Sequence, residues 1–531
     1  QYGVDYSTSY VTSYNNSYAV YQPTWNNYNG QDVVSIQPDD RFGKDQKSGV
    51  QNIAGSSNRQ TIAFSSYLNY LTTVNDSHNI LARIVATGFQ QTQTQVYHRT
   101  GNANLGVMLN YNYKNKYYAD LGTALVHSAK LAEGNRTGLS SSATLGWRLS
   151  EEGALKNSSA IDNLVISASA SVLKTDLDIR DGGQEHYLSE ANYTQASGAW
   201  WGWRDGASER STNSLRGANE DLTFINRKEV SANVGISLWD KLVTANATFF
   251  VNKMEGLIIQ PTTLYPSYFS TFFPSSSFMP YENYNDLQRR GIDFTVNVNK
   301  QVGDVGLSLG LSGMYYSTKA LRLDENFEDE YRNRTGRPLY GIWGLESAGL
   351  FQTQDEIDNS PRQKFGGTIR PGDIKYVDQN NDGVVDERDE VFLGKGGAFG
   401  GPFTGGVNLT ASWKGFTLFA LGTFDMGANR LKNNSYFWVY GNRKYSEVVR
   451  DRWTEETRET ATYPRLTAES GVNNFRSSDF WMYKANRFNL ARVQLSYSLP
   501  SSLISDTFLR DVSIYVSGSN LLTLSKEREI L

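Results

Sequence analysis

Cysteine is absent from the 531 residues, and histidine occurs only four times, at His78, His98, His127 and His186. The chain therefore has no disulfide, thiolate nucleophile or zinc–thiolate centre, and four scattered histidines do not make a metal or catalytic cluster. Proline is scarce, at 12 residues, and no charge sign dominates: 51 basic against 55 acidic residues leave −4, without the basic excess expected of a nucleic-acid binder. No apolar run reaches about 18 residues, which excludes a transmembrane helix. A transmembrane barrel stays open, because its strands alternate apolar and polar side chains and average out as polar. The chain begins Gln1-Tyr2-Gly3, without Met, signal peptide or lipidation site, and so reads as processed or as one piece of a longer protein.

Glycine and aromatics are plentiful: 47 Gly, 32 Tyr, 25 Phe and 11 Trp, far too rich for a disordered chain. Their arrangement has period two. Val305, Leu307, Leu309 and Leu311 alternate with Gly306, Ser308, Gly310 and Ser312. Val243, Ala245, Ala247 and Phe249 alternate with Thr244, Asn246 and Thr248, and Ile292, Phe294, Val296 and Val298 with Asp293, Thr295 and Asn297. Strict alternation predicts strands with one apolar face. These runs last about 10 to 14 residues, whereas globular strands average about five or six and a tilted membrane-spanning strand needs about 9 to 11.

The connections test the same reading. Strands near 101–113 and 116–128 meet at a tight Asn115-Lys116 turn, 224–237 and 241–253 at Trp239-Asp240, and 402–413 and 415–428 at Lys414-Gly415. Between such pairs run long loops near 174–223, 254–286, 318–401 and 429–484. Short turns at one rim and long loops at the other are the mark of an outer-membrane barrel. With 1–13, 60–73 and 77–92 included, about fifteen strands are predicted. An odd, open set leaves edge amides unpaired in lipid, so the expectation is an all-β, antiparallel transmembrane barrel that is incomplete in this chain. Aromatics at strand ends (Trp147, Trp239, Trp413, Phe416, Tyr497) predict interfacial belts against outer-membrane lipid.

Several stretches resemble the SusC-like family of TonB-dependent outer-membrane transporters. They are Gly146-Trp147-Arg148-Leu149-Ser150-Glu151-Glu152, Gly336-Arg337-Pro338-Leu339-Tyr340-Gly341, Pro371-Gly372-Asp373-Ile374-Lys375-Tyr376-Val377-Asp378, Asn489-Leu490-Ala491-Arg492-Val493-Gln494-Leu495 and Val516-Ser517-Gly518-Ser519-Asn520-Leu521. Their order matches the family. The resemblance implies that 1–531 is the C-terminal part of a barrel of about 22 strands, with the plug domain outside this chain. It also implies import of oligosaccharides, or alternatively peptides, across the outer membrane. A SusD-like capture lipoprotein would serve as lid, TonB would act through the N-terminal part, and transporter–lipoprotein pairs would assemble as dimers. No enzymatic step is implied. A soluble all-β glycan-binding protein is the remaining alternative, and the strand lengths oppose it.

Two constellations stand out. In Asp378-Gln379-Asn380-Asn381-Asp382-Gly383-Val384-Val385-Asp386-Glu387-Arg388-Asp389, Asp378, Asn380, Asp382, Val384 (through its carbonyl), Asp386 and Asp389 fall where a calcium loop places its ligands, with Gly383 at the sharp turn. The expectation is a structural calcium ion; the alternative is an Asn/Asp/Gly turn without metal. Trp200, Trp201 and Trp203 in one long loop, and Tyr265, Tyr268 and Phe269 in the next, offer flat aromatic faces to a sugar ring or a partner surface. The acidic runs Asp324-Glu325 and Glu328-Asp329-Glu330 read as solvated surface rather than a glycosidase pair. The glycines between Gly394 and Gly401 lack the ending of a phosphate-binding loop.

Overall fold

Among the described residues, fifteen antiparallel strands form one sheet in which neighbours in the sheet are neighbours in the strand sequence. The computed structural model describes residues 59–93, 96–153, 155–176, 187–202, 208–271, 276–397, 401–441, 446–500 and 512–525, with the backbone of short strands within 2–47. The sheet strands are β1 (Tyr2–Ser9), β2 (Arg59–Val74), β3 (His78–Gln93), β4 (Val96–Tyr113), β5 (Tyr117–Ser128), β6 (Thr137–Arg148), β7 (Ile161–Thr175) and β8 (Ile225–Leu238). They continue as β9 (Val243–Ile259), β10 (Glu282–Val302), β11 (Val305–Arg322), β12 (Phe403–Trp413), β13 (Phe416–Met426), β14 (Arg487–Ser498) and β15 (Ser513–Ser525).

Register turns the period-two pattern into two faces. Leu109, Leu121 and Ala143 are paired across β4, β5 and β6, and Leu309 and Leu409 across β11 and β12. All project from the same face. That face is bare: Leu145, Val230 and Val516 are 65%, 63% and 77% exposed. A soluble sandwich would bury these side chains against a second sheet, and the described residues form no such sheet. The rows are left for hydrocarbon. The opposite face is polar and internally hydrogen-bonded: Asn110 Nδ2 donates to Asp120 Oδ1 at 2.5 Å, Asn233 Nδ2 to Thr248 Oγ1 at 2.9 Å, and the Thr144 and Ser169 hydroxyls lie 2.8 Å apart. Asp293, Asn297 and Asn246 sit on this inner face, as their parity predicts.

Tight turns close one end. At β4–β5 the positive-φ residues are Lys114 and Asn115, and the Lys116 amide donates to the Tyr113 carbonyl at 2.9 Å. The turn is thus centred one residue earlier than its sequence suggested. Two consecutive positive-φ residues match the right-handed twist of a hairpin. Beside these turns the aromatics fall into rows. His78, Tyr113, Tyr117 and Trp147 are successive cross-strand partners, with ring centroids 4.8, 6.3 and 6.3 Å apart. Trp413, Phe416 and Tyr497 make a second row. This is the expected interfacial belt.

Away from the turns the strands run on past the predicted ends. β10 has 21 residues and β11 18, and β9 reaches Ile259 rather than stopping near 253. Hairpin pairing continues beyond the span that hydrocarbon requires, because the same ladder serves equally well in water.

Among the described residues the wall has no hydrophobic core of its own. Tight packing lies in the long connections, where two clusters form. One is Leu131, Leu188, Leu222, Phe224 and Ile225. The larger joins both longest connections, through Leu345, Ile374, Tyr376, Val385, Val439, Tyr463, Phe475 and Trp481.

Replacing Leu309 by Arg should destabilise the barrel by roughly 2–4 kcal/mol, as for a cation on the lipid face at mid-depth. Its inner-face neighbour Ser308→Arg should leave stability nearly unchanged. Urea unfolding in detergent, followed by heat-modifiable gel mobility, measures both.

Candidate functional site

The connections 323–402 and 427–486 fold together at the long-loop end. Short ladders tie each connection to itself, Gly341–Gly344 with Val391–Lys395 and Asn429–Leu431 with Met482–Lys484. A bridge from Leu345 to Ser478 ties the two together. At the centre is Asp373, 2% exposed. Arg465 Nε lies 2.7 Å from Asp373 Oδ1, an ionic contact without hydrogen-bond alignment, and its Nη2 donates to Oδ2 at 3.1 Å. Asn474 Nδ2 donates to Oδ1 at 2.8 Å, and the Arg370 amide donates to Oδ2 at 2.8 Å. Gln363, buried, accepts from the Tyr376 amide at 2.7 Å and donates to the Ile374 carbonyl and to Asn473. A buried charge with this many partners is held in one geometry, so the two connections act as one rigid cap. Asp373 lies within the Pro371–Asp378 stretch, but nothing local in the sequence marks its carboxylate as the buried centre.

The calcium-type loop belongs to the same cap. Asn381 and Gly383 take positive φ, at 58° and 82°. Asp378 Oδ2 accepts from the Gly383 amide at 2.9 Å, Asn380 Oδ1 from the Asp382 amide at 3.0 Å, and Asp382 Oδ1 from the Val384 amide at 2.9 Å. Asp389 is fully buried and its two oxygens accept from the Gln379 and Asp386 amides. Arg388 reaches back over the loop, with Nη2 2.7 Å from Asp382 and 3.1 Å from Asp386. The Arg388 hydrogen bond holds the Asp386 carboxyl below its usual range. Among the described residues no three acidic or histidine side chains converge as a metal site. One oxygen stands apart: Asp378 Oδ1 is buried without a hydrogen-bond partner.

The aromatic residues divide. Trp200 and Trp201 lie on the hairpin strand Asn192–Gly202, opposite Arg210 and Glu209; their side chains, and Trp203, lie outside the described residues. Tyr265, Tyr268 and Phe269 do come together, with Phe269 5.1 Å from Tyr265 and 5.4 Å from Tyr268 between ring centroids. The Tyr265 hydroxyl donates to Glu282 at 2.5 Å, which pushes its pKa up to about 12. Tyr268 is 74% exposed at the tip. This tip is anchored by Asp324, whose carboxylate accepts from the amides and hydroxyls of Thr262 and Thr263. Glu325 accepts likewise from the Arg334 and Thr335 amides. Asp324 thus staples two connections together, while Glu325 fastens a turn within its own connection; both stay partly exposed.

On the inner face, below the cap, a cavity of about 1040 Å³ is lined by Lys174, Arg227, Glu229, Arg289, Tyr316 and Tyr340 among others. Arg227 pairs with Glu229 at 3.1 Å, and Asn252 donates to Glu229 at 2.7 Å. Arg289 is exposed into this space. Arg227, Glu229 and Arg289 are not singled out from the sequence; the period of two is the signal that would put them inward, and their convergence needs the register of three strands.

No family model matches the chain. Curated relatives from Formosa agariphila are named TonB-dependent receptors. Receptor P26 is 24% identical over 80% of this chain and 41% of its own length, and receptor P3 is 21% identical over 78% and 40%. The chain thus spans about two fifths of the relatives it matches. A solved structure of the RagAB peptide transporter superposes with a TM-score of 0.68 at 17% identity, covering 89% of this chain and 52% of that one. The RagAB peptide importer in its open-open state superposes with 0.69 at 16% identity, over 89% and 52%. These findings bear out the transmembrane β-barrel fold, the bacterial outer membrane as its location, and the resemblance to TonB-dependent transporters. The relatives are receptors and transporters, not enzymes.

Arg465→Met removes the partner of a buried carboxylate and should loosen the cap by roughly 3–5 kcal/mol. Limited proteolysis should then cut between residues 362 and 476, while the barrel keeps its gel mobility.

Proposed function

We propose that this chain forms the greater part of the barrel wall of a SusC-like TonB-dependent importer, which draws an oligosaccharide from a SusD-like lipoprotein lid into the cell envelope. The observation that carries the reading is the cap built on a barrel. A rigid platform at the long-loop end stands over a polar inner face, and the cavity beneath it carries aromatic and charged side chains. No bond is made or broken. Cargo binds at the platform and inner cavity, and inward release depends on a plug and TonB belonging to the rest of the protein. Two transporters with two lids make the complete assembly.

The exposed faces of Tyr268 and its neighbours support a glycan, since sugar rings stack on such surfaces. A peptide is the second reading. It is supported by the mixed charge lining the inner cavity, where Arg227 pairs with Glu229 and Arg289 and Lys174 add further cations, a pattern complementary to a chain carrying both signs.

Calcium in the Asp378–Asp389 loop is part of the same proposal. Its support is the ligand spacing and the unpartnered Asp378 Oδ1. The residues as folded fit the ion only in part, because Arg388 occupies the carboxylates of Asp382 and Asp386. Calcium would take the place of that guanidinium, with Asp378, Asp382 and Asp386 as its holders and the cap as what it stiffens.

Uptake of labelled oligosaccharides and peptides by cells carrying the full-length transporter tests the cargo. Energy-dependent uptake of a glycan, abolished by a protonophore, is expected; uptake of peptides alone replaces the first reading with the second, and uptake insensitive to the protonophore overturns both. For the loop, millimolar calcium should raise the cap's melting temperature by several degrees, and more in Arg388→Ala. Equal melting in calcium and chelator, for both proteins, removes the ion.

A further inference from the structure

The lipid-facing surface carries a feature that import does not use. Register places Val172, Lys228, Lys253, Gln288 and Lys319 in one row across β7 to β11. Parity points this row outward, because Val230, Val251, Arg290 and Ser317 form the next row toward the turns, followed by Ala232, Phe249, Ile292 and Tyr315. Four cations therefore crowd onto neighbouring outward positions directly above the apolar belt, and all four are exposed. Glu255 pairs with Lys228, and Asp286 is engaged by Arg322 at 3.2 Å. Among the described residues Lys253, Arg290 and Lys319 have no acidic partner. Like charges directly opposite in a sheet are destabilising, so this row costs stability unless an anion lies on it.

Its height is informative. From Val243 at the turns to Lys253, about ten residues at ~3.3 Å rise and ~40° tilt climb roughly 25 Å, the height of a barrel's apolar band. The row thus sits at the headgroup level of the leaflet on the long-loop side. Beside it the outer surface is hollow. Small side chains at Thr123, Ser141, Ala143 and Ala170 floor an apolar groove of about 670 Å³, whose lining includes Lys228, one row nearer the long loops than Val230. A groove of hydrocarbon character running up to clustered cations has the two halves of a lipid site: a slot for an acyl chain and a seat for a phosphate.

We propose that this face holds an anionic, phosphate-bearing lipid of the long-loop leaflet. Phosphate oxygens lie among Lys228, Lys253, Arg290 and Lys319, and an acyl chain lies in the groove over Ala143 and Ala170. Charge complementarity selects this occupant, since a zwitterionic lipid brings its own cation and leaves the row uncompensated.

Native mass spectrometry of the full-length transporter in detergent tests the site. The probes are diphosphorylated lipid A, the same lipid stripped of phosphate, and inorganic phosphate. The expected result is retention of lipid A, at least tenfold weaker retention of the stripped lipid, and no displacement by millimolar phosphate. K253Q/K319Q should reduce lipid A retention about tenfold with unchanged gel mobility. Equal retention of both lipids, or full retention by the double variant, overturns the proposal. Complete displacement by inorganic phosphate reduces the site to a free-anion site and overturns it as well. If the variant does not fold, the comparison of the two lipids on the unaltered protein still decides.

Discussion

Hydrocarbon offers no hydrogen-bond partner to a peptide group, and each unpaired amide there costs several kcal/mol. Everything else in this molecule follows from that. The strands must pair without interruption, so the connections at one end shrink to turns in which Lys114 and Asn115 accept positive φ. The side chains must alternate, because successive residues of a paired strand point to lipid and to the interior. Among the described residues no second layer covers the outer face, and on the inner face polar side chains hydrogen-bond to one another across strands.

A wall one sheet thick cannot bury a core. The packing that a soluble protein would place between layers is displaced here into the long connections, where water returns and both clusters of buried residues lie. The Asp373–Arg465–Asn474 centre shows how such connections become rigid. The charge is removed from water, paired, and hydrogen-bonded from the backbone and from a side chain about a hundred residues away in the chain. Asp324 and Glu325 do the same on a smaller scale. Acidic residues in these loops are chiefly fasteners, and the aromatic tip around Tyr268 is presented because Asp324 holds its base.

Much of the wall was legible beforehand. Leu309 facing lipid, Asn297 facing inward and Trp413 beside Phe416 at a tight turn all follow from a repeat of two and from turn chemistry, which are local. The turn falls at Lys114-Asn115 rather than Asn115-Lys116 because register, not Asn115 itself, decides whether its partner in the positive-φ pair precedes or follows it. The strand ends were less legible, since nothing in β10 marks where lipid stops and water begins. Arg388 closing over Asp382 and Asp386 was not legible at all, because ligand spacing records which oxygens are near one another and says nothing of a cation the chain supplies itself.

The amino-acid order by itself determined the alternation of faces, the number of strands and the end at which the long connections gather, because pairing between sequence neighbours in a meander needs no information beyond the neighbours. Only the tertiary structure decided which residues meet across the cap, which charges share the inner cavity, and that Lys228, Lys253 and Lys319 stand side by side on the outer face. Those meetings depend on register accumulated over several strands and on contacts about a hundred residues apart, and no local period encodes them.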